Sequence, residues 1–374
     1  MSTIYFDNAA TTPLSSEVLQ AMLPYLQDNF GNPSAIYSIG RTNRLAIEES
    51  RKTVANHLGA KAGEIFFTSC GTESTNTVLQ SVVNSLDCKR IISSPIEHPA
   101  TLNTLTSLEK YRNIQVDYVR LTSNNHIDMY DLEKLLKHNS EKTLVSLMHA
   151  NNEVGNLLDI ESAIAICKRH NALFHTDMVQ TIGHYPINLG SLGVDFASGS
   201  AHKFHGPKGS GLLYISSQLK INPLISGGGQ ERNMRAGTEN VANIVGFAKA
   251  LELALANVEK DHLYIKELND YCLKSMTAKL GDIFTINSAK DGLYTILNVS
   301  FPQNDKTDIL QMALDMHGIC VSGGSACSSG AAVGSHVINH INKHANVPLR
   351  ISFSRHNTKQ EVDNLTEVLS ALLA

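Results

Sequence analysis

Residues 195–215 read DFASGSAHKFHGPKGSGLLYI. The apolar runs Asp195–Ser198 and Gly211–Ile215 at the two ends of this segment predict two β-strands. Lys203 follows the first run among small residues, where partial loss of hydration lowers the pKa of an amine and frees it to form a Schiff base. The segment therefore predicts a sheet that presents a candidate catalytic lysine, although an ordinary surface lysine in a turn gives the same local pattern.

The polar residues around Lys203 indicate a site for an anionic, aromatic cofactor. Ser200 and His202 can donate hydrogen bonds to a phosphate beside the lysine. Asp177 ends another predicted strand, where its carboxylate can pair with a protonated pyridine nitrogen, and Gln180 can donate to a phenolic oxygen. A metal site formed by His175, Asp177 and His202 is the competing interpretation, but no helix-spaced pair of histidines supports it. The glycine-rich residues 206–211 do not follow the G-K-[ST] order of a Walker loop.

Three further segments carry residues that suit such a site. Gly71 and its neighbouring hydroxyls lie where a strand runs into a helix, and a helix N-terminus binds anions, although ordinary capping explains the segment equally well. His98 follows the predicted strand Arg90–Ser94, where an imidazole can lie on a cofactor ring and shuttle protons; with 16 histidines in the chain, a structural role is the alternative. Arg350 alternates with apolar neighbours and can capture a carboxylate if it faces a pocket.

The sequence contains six cysteines without a C-x-x-C pair, so reduced thiols are expected. Cys327 alone lies in a loop of small residues, at 322–330, where a thiol is accessible to reactants. Cys167 and Cys272 fall in helical patterns and are predicted to be packing residues, while Cys320 ends a strand and is predicted to be buried.

Composition excludes several classes of protein. Hydrophobic residues make up 42% of the 374 residues and charged residues 18%, which is a globular balance, and the net charge of -4 provides no basic field for nucleic acid. The first residues lack the pattern of a secretory signal, and no uninterrupted apolar stretch of about 18 residues predicts a membrane span. A cytoplasmic protein with neither a membrane nor a nucleic-acid partner is expected.

Short β-branched runs alternate with helix-period segments over most of the chain, which predicts an α/β protein. We expect a large domain with a mostly parallel sheet at 13–255, and a smaller α+β domain formed by 1–12 and 256–374. One long helical stretch, Glu239–Leu280, is expected to bridge the two. Six strands of the large domain are predicted at Glu64–Ser69, Arg90–Ser94, Thr143–His149, Ala172–Thr176, Asp195–Ser198 and Gly211–Ile215.

Taken together and in order, the motifs resemble those of the cysteine desulfurases of the NifS/IscS type, within the class V aminotransferase group of fold-type I pyridoxal-phosphate enzymes. The resemblance runs nearly from end to end. It rests on YFDNAATTP (5–13), GNPS (31–34), CGTES (70–74), EHPA (97–100), HANNEVG (149–155), GGGQER (227–232), RAGT (235–238) and GSACSS (324–329).

The resemblance implies a role for each candidate residue. Lys203 holds pyridoxal 5'-phosphate covalently, His98 stacks on its ring as an acid/base, and Cys327 is the persulfide-forming nucleophile. Arg350 and Asn152 bind the substrate, L-cysteine. The remaining cofactor ligands would be Cys70, Gly71, Thr72, Asn152, Asp177, Gln180, Ser200, His202 and, from the neighbouring subunit of a homodimer, Thr238.

The implied reaction transfers sulfur from L-cysteine to Cys327 and releases L-alanine, and an acceptor such as an iron–sulfur scaffold or a tRNA-thiolation enzyme takes the persulfide. A selenocysteine or cysteine lyase, or an aminotransferase of the same fold, is the alternative that does not need Cys327. Three positions depart from the family pattern, namely Tyr37, Cys70 and Met178. We expect Met178, in place of a small alanine under the ring, to narrow the pocket.

Overall fold

The computed structural model describes residues 3–137, 141–323, 335–342 and 346–374. In chain order, the strands within these ranges are β1 (Ile4–Tyr5), β2 (Ile65–Thr68), β3 (Arg90–Ser93), β4 (Gln115–Tyr118), β5 (Thr143–Ser146), β6 (Leu173–Asp177), β7 (Phe196–Ser200), β8 (Gly211–Ile215), β9 (Thr285–Ile286), β10 (Ile296–Pro302), β11 (Ile319–Cys320) and β12 (Asn346–Ser352). The helices are α1 (Ser16–Gln27), α2 (Ser38–His57), α3 (Gly71–Leu86), α4 (Pro99–Arg112), α5 (Met129–Lys137), α6 (Ile160–Arg169), α7 (Leu189–Leu192), α8 (Val241–Ala256), α9 (Val258–Leu280), α10 (Asp305–Asp308), α11 (Leu310–Met316), α12 (His336–Ile341) and α13 (Lys359–Leu373).

The central sheet within the described ranges has seven strands in the order β2-β8-β7-β6-β5-β3-β4. The neighbours from β7 to β4 all pair in parallel, whereas β8 is antiparallel to both β7 and β2. Because β8 is antiparallel to both of its neighbours, β2 and β7 run in the same direction. The carboxyl ends of six strands therefore meet at one edge of the sheet, which is where open α/β sheets bind their ligands.

Helices cover both faces of this sheet, as a largely parallel sheet requires. On one face α1 and α2 each pack against α8, and the three helices share a hydrophobic cluster with residues of α5 and α6. On the other face α3 packs against α4 and contributes to a second cluster. Strands β2, β3, β5, β7 and β8 are buried along their whole length, as expected for strands covered by helices on both faces.

A second hydrophobic core lies in the C-terminal part of the chain. Strand β10 pairs antiparallel with both β12 and β9, and helices α9, α11 and α13 pack onto this small sheet. The N-terminal strand β1 joins the same region through parallel pairing with β11, and Phe6 packs edge-on against Phe353 at 5.5 Å between ring centroids. The first residues of the chain therefore pack against its C-terminal part.

The prediction of one long helix over Glu239–Leu280 is wrong, because this stretch forms two helices. Asn257 separates α8 from α9, and their axes differ by 71°. Helix α8 packs on α1 and α2, whereas α9 packs on α13. We propose that the domain boundary lies at this break, in keeping with the division into 13–255 and 1–12 plus 256–374.

Within the described ranges, no single helix combines the length and apolar character needed to cross a bilayer. The bent pair of α8 and α9 meets that criterion only when the two are joined, by length and composition alone.

A buried ion pair fixes the glycine-rich segment that precedes α8. Arg51 of α2 donates to both carboxylate oxygens of Glu231, at 2.7 and 2.8 Å, and Glu231 also accepts from the Phe67 N–H at 2.8 Å. Glu231, Arg232 and Asn233 have φ values of 44°, 56° and 67°, a left-handed turn that non-glycine residues adopt only under constraint. The bidentate pair supplies that constraint and sets the start of the segment that ends at Thr238.

The six predicted strands of the large sheet are all present, and the largest error at an end is at β5, which stops at Ser146 instead of His149. A capping box opens the last helix, since the Glu361 N–H donates to Thr358 Oγ1 at 3.2 Å and the Thr358 N–H donates to the Glu361 carboxylate at 2.8 Å. Strand β4, which is short and lies at the edge of this sheet, was not predicted.

Candidate active site

A cavity of about 210 Å³ opens at the carboxyl edge of the central sheet. The strand exits and the C-terminal part of the chain line it together. It brings together most of the predicted site residues, namely Cys70, Gly71, Thr72, His98, Asn152, Asp177, Gln180, Ser200, His202, Lys203 and Arg350.

Lys203 lies in a single 3₁₀ turn directly after β7. Its Nζ donates to the backbone carbonyls of Ala9 and Ala10, at 2.5 and 2.9 Å, while the Lys203 carbonyl accepts from His184 Nε2 at 3.1 Å. The N-terminal segment thus holds the amine inside the cavity. The predicted placement of the lysine just past a strand end is confirmed.

Asp177 is the last residue of β6, and its carboxylate is almost completely buried. Burial raises the pKa of Asp177 to about 6, even though the Val179 N–H donates to the carboxylate at 2.9 Å and the charge of Lys203 acts in the opposite direction. A buried carboxylate of this kind is stabilised by a cationic partner. A protonated pyridine nitrogen is such a partner. Gln180 reaches the same region and donates to the Ala9 carbonyl at 3.1 Å.

The opposite end of the cavity is built to hold an anion. Helix α3 begins there at Gly71, and the side chain of its N-cap residue, Cys70, makes no capping hydrogen bond, so the first N–H groups of the helix remain available. Ser200 Oγ is buried and has no hydrogen-bond partner within the described ranges. A Cβ atom on Gly71 would lie 2.5 Å from Val179, so this approach of α3 to the cavity requires glycine.

The two cavity histidines are neutral near pH 7. Burial, followed by the charges of Lys203 and His336, lowers the pKa of His98 to about 4. His98 Nδ1 accepts the Ala100 N–H at 3.1 Å, so the ring proton resides on Nε2. Burial and the charges of Lys203 and Lys208 lower the pKa of His202 to about 4 as well. Neutral imidazoles can donate to a phosphate or move a proton without adding charge to the site.

Arg350 of β12 faces the cavity from the C-terminal side and is only 1% exposed. Its Nη2 pairs with Asp7 Oδ1 at 2.7 Å, and its Nη1 donates to the Asn152 carbonyl at 2.8 Å. The Nε atom is buried and has no hydrogen-bond partner in the described part of the chain. This unused donor lies in a residue that lines the cavity, so a carboxylate that binds beside Arg350 can satisfy it.

The metal interpretation of His175 is not supported by the geometry. His175 Nδ1 hydrogen bonds with Ser146 Oγ at 2.8 Å and its Nε2 with Ser198 Oγ at 3.0 Å, so both ring nitrogens are engaged in the sheet core. In the ranges that the structure describes, no group of three or more His, Cys, Asp or Glu side chains is placed to hold a metal ion.

The expectation that Met178 narrows the pocket is wrong. Met178 is fully buried in the large hydrophobic cluster and does not line the cavity, whereas Val179 does. The chain turns after β6, since Asp177 accepts from the Val179 N–H, and this turn points the second residue after Asp177 toward the site.

The cavity does not test the predicted roles of two site residues. Cys327 lies outside the described residues. Thr238 is exposed, in the loop before α8, and is not among the residues that line the cavity of its own chain. Their roles stay predictions.

The other thiols differ in their surroundings. Burial raises the pKa of Cys88 to about 11 and those of Cys167 and Cys272 to about 12, so these three are protonated packing residues. Cys320 is partly exposed instead of buried, because it lies in the two-stranded edge formed by β1 and β11.

The N-terminal segment contributes residues that sequence reasoning missed. Asp7 pairs with Arg350, and Ala9 and Ala10 offer their carbonyls to Lys203. The conspicuous run YFDNAATTP contains all three, but nothing in its local pattern indicates that it crosses the sheet edge. Every residue has a backbone carbonyl, so residue type does not indicate which carbonyls accept hydrogen bonds in the site.

The residues present fit pyridoxal 5'-phosphate: a lysine, a buried carboxylate for the pyridine nitrogen, and a helix N-terminus with an unpartnered serine for the phosphate. The fold and this site define a pyridoxal-phosphate enzyme of fold type I. The chain belongs to the aminotransferase class-V family, whose model matches residues 4–365.

Individual relatives are similar to this chain over nearly its full length. A protein of Dictyoglomus turgidum named cysteine desulfurase IscS is 43% identical over 375 residues, which cover 99% of this chain and 94% of the relative. The solved structure of a NifS-like protein superposes with a TM-score of 0.92 at 38% identity and covers 99% of both chains. A structure described as SspA in complex with cysteine gives a TM-score of 0.81 at 30% identity, over 95% of this chain and 100% of that one. The family resemblance predicted from the sequence is confirmed.

Asp177 should make the cofactor-free protein less stable at neutral pH. Because folding raises the pKa of Asp177 from 3.8 to about 6, the folded state binds its proton more tightly, and stability falls as pH rises from about 4 to about 6. We expect Asp177→Asn to raise the unfolding temperature of the cofactor-free protein at pH 8 and to have little effect at pH 4. Scanning calorimetry at both pH values measures this difference. The exposed Asp291→Asn is the control, and an Asp177→Asn effect that is equal at both pH values would contradict the prediction.

Proposed function

We propose that this protein is a cysteine desulfurase that uses pyridoxal 5'-phosphate to convert L-cysteine to L-alanine and a persulfide on Cys327. The observation that carries the proposal is the meeting of Lys203, Asp177 and Arg350 in one cavity, which provides for the cofactor and for an amino-acid carboxylate. The proteins named cysteine desulfurase that the chain resembles, and the relative solved with cysteine, support this choice of substrate.

Each side chain around the cavity has a different role in the proposed reaction. When bound, pyridoxal phosphate supplies a ring that accepts electrons from the substrate. Arg350 Nε and its neighbouring Nη2 orient the substrate carboxylate. The carboxylate of Asp177 pairs with the pyridine nitrogen of the cofactor. The amine of Lys203 is placed to take the proton from the substrate Cα, and the carbonyls of Ala9 and Ala10 can hold the ammonium that results. His98 Nε2 can provide a further proton.

The flanks of the Cys327 segment support its role as sulfur acceptor. On one side Ser322 pairs through its backbone with Arg350, at 2.7 and 3.2 Å. On the other side Ser335 donates to Glu153, and His336 Nε2 donates to the carbonyl of Glu97, the neighbour of His98. Both described flanks of this segment are therefore held beside residues of the cavity or their chain neighbours, which supports the proposed role of Cys327.

A product assay tests this proposal. We expect the purified holoenzyme to convert L-cysteine to L-alanine without a keto-acid acceptor and to gain protein-bound sulfur. Pyruvate with ammonia as products would indicate β-elimination, and a requirement for a keto acid would indicate an aminotransferase. Either result would overturn the proposal.

The sequence and the position of Thr238 lead to proposals for the partners and the location. We propose a homodimer in which Thr238 completes the phosphate site of the neighbouring subunit, because Thr238 is exposed and absent from its own cavity. A persulfide acceptor, either an iron–sulfur scaffold or a tRNA-thiolation enzyme, and a cytoplasmic location stay predictions from the sequence.

A further inference from the structure

Arg350 is one of the most deeply buried charged residues of the protein, and Asp7 is its ion-pair partner. Only 1% of the Arg350 side chain is exposed, and 19% of that of Asp7. The 2.7 Å contact joins Asp7 Oδ1 to Nη2 alone, while the Asn152 carbonyl takes Nη1 at 2.8 Å. The guanidinium is thus held at its two terminal nitrogens, and its Nε is left buried with no partner among the described residues.

These contacts determine which edge of the guanidinium can bind a carboxylate. A carboxylate binds arginine through two parallel N–H groups, and the edge formed by Nε and Nη2 is one such pair. A free arginine side chain rotates among several rotamers and exchanges one edge for another. Contacts with Asp7 and Asn152 remove that freedom and leave Nε as a donor without a partner among the described residues.

Asp7 is itself held in place from both sides. The Tyr5 hydroxyl donates to the Asp7 carbonyl at 3.1 Å and to the Thr11 carbonyl at 2.8 Å. The Ser352 N–H donates to the Phe6 carbonyl at 2.7 Å, and Asn8 Nδ2 donates to the Ser352 carbonyl at 2.9 Å. The carboxylate therefore approaches Arg350 from a backbone that is fixed to the same strand as the arginine.

We propose that Asp7 is a positioning residue that orients Arg350 for the α-carboxylate of the substrate, so that discrimination between an amino acid and its uncharged amide depends on Asp7. This inference rests on the proposed function. The competing explanation is that Asp7 only neutralises a buried charge, in which case its loss would lower stability without altering ligand selectivity.

The experiment compares Asp7→Asn with the wild-type holoenzyme. Asparagine keeps the shape of the side chain but removes the charge-assisted bond, which is worth about 10-fold in an equilibrium constant. We expect the KM for L-cysteine to rise by about 10-fold while kcat at saturation changes by less than about 3-fold. We also expect the preference for L-alanine over L-alaninamide, measured as competing ligands, to fall by about 10-fold.

Asp261→Asn is the matched control, because it breaks another Asp–Arg pair, with Arg355 at 3.2 Å, and leaves Arg350 untouched. It should retain the wild-type preference for the carboxylate. Should Asp7→Asn fail to fold, Asp7→Glu preserves the charge but displaces the carboxylate by one methylene, and it should still raise KM and lower the ligand preference.

Two failures are distinguishable. If the wild-type protein forms no alanine from cysteine, the proposed function is wrong. If it does, but every folded Asp7 variant keeps the wild-type KM and ligand preference, only the role of Asp7 is overturned.

Discussion

Replacing Lys203 with alanine should lower desulfuration by at least about 1000-fold, because it removes the nucleophilic amine that forms the covalent bond to the cofactor. Lys203 is the only lysine among the described residues that line the cavity, so no neighbour can take its place. We also expect the visible absorbance of the purified protein to lose the band of a lysine-bound cofactor. In the wild type, borohydride reduction followed by mass spectrometry should locate the cofactor on the peptide that contains Lys203.

Lys208→Ala is the matched control, since Lys208 lies in the same glycine-rich turn but is exposed. Its absorbance and activity should be those of the wild type. Retention of the covalent band in Lys203→Ala would show that another amine holds the cofactor and would remove the main support for the proposed site.

With a dithiol present to reduce the persulfide and release sulfide, replacing Cys327 with serine should lower sulfide release from L-cysteine by at least about 100-fold, because a hydroxyl does not provide the thiolate that attacks sulfur. The cofactor ligands are untouched by this change, so the absorbance of the bound cofactor should remain. Mass spectrometry after incubation with L-cysteine should find one added sulfur atom on the Cys327 peptide of the wild type and none on that of the variant.

Cys320→Ser provides the comparison for that experiment. Cys320 precedes Cys327 by seven residues, and burial together with nearby Asp315 and Asp7 raises the pKa of its thiol. A protonated thiol is a poor nucleophile, so this variant should still form the persulfide. Undiminished sulfide and alanine production by Cys327→Ser would favour the lyase of the same fold.

Local patterns were enough to predict the strand exits that form the cofactor end of the cavity. Asp177, His98 and Lys203 each follow an apolar run, and the carboxyl ends of parallel strands meet at one edge, so their proximity follows once the strands are recognised. The positions of Gly71 and Ser200 at the same edge follow for the same reason. The resemblance to a known family then named the group that fits them.

Features that depend on distant pairing or on the exact course of a turn were not predictable in this way. The double reversal through β8, the bend at Asn257 and the contact of Asp7 with Arg350 each join segments whose local sequences are ordinary. The family resemblance assigned Met178 to the cavity, whereas the turn that follows Asp177 gives that place to Val179.

The union of the first strand with the C-terminal part of the chain has a consequence for how the site is assembled. Asp7 and Arg350 are 343 residues apart, whereas Asp177, Lys203 and the phosphate end of the cavity all precede residue 216. As the chain leaves the ribosome, the cofactor half of the site is therefore present well before Arg350 has been made. The N-terminal segment gains its partners in β11 and β12 only at the end of synthesis, and closing so long a loop is slower than forming local contacts. The carboxylate-binding end of the cavity is thus the last part of the site to form and the first to be lost if the chain is cut short.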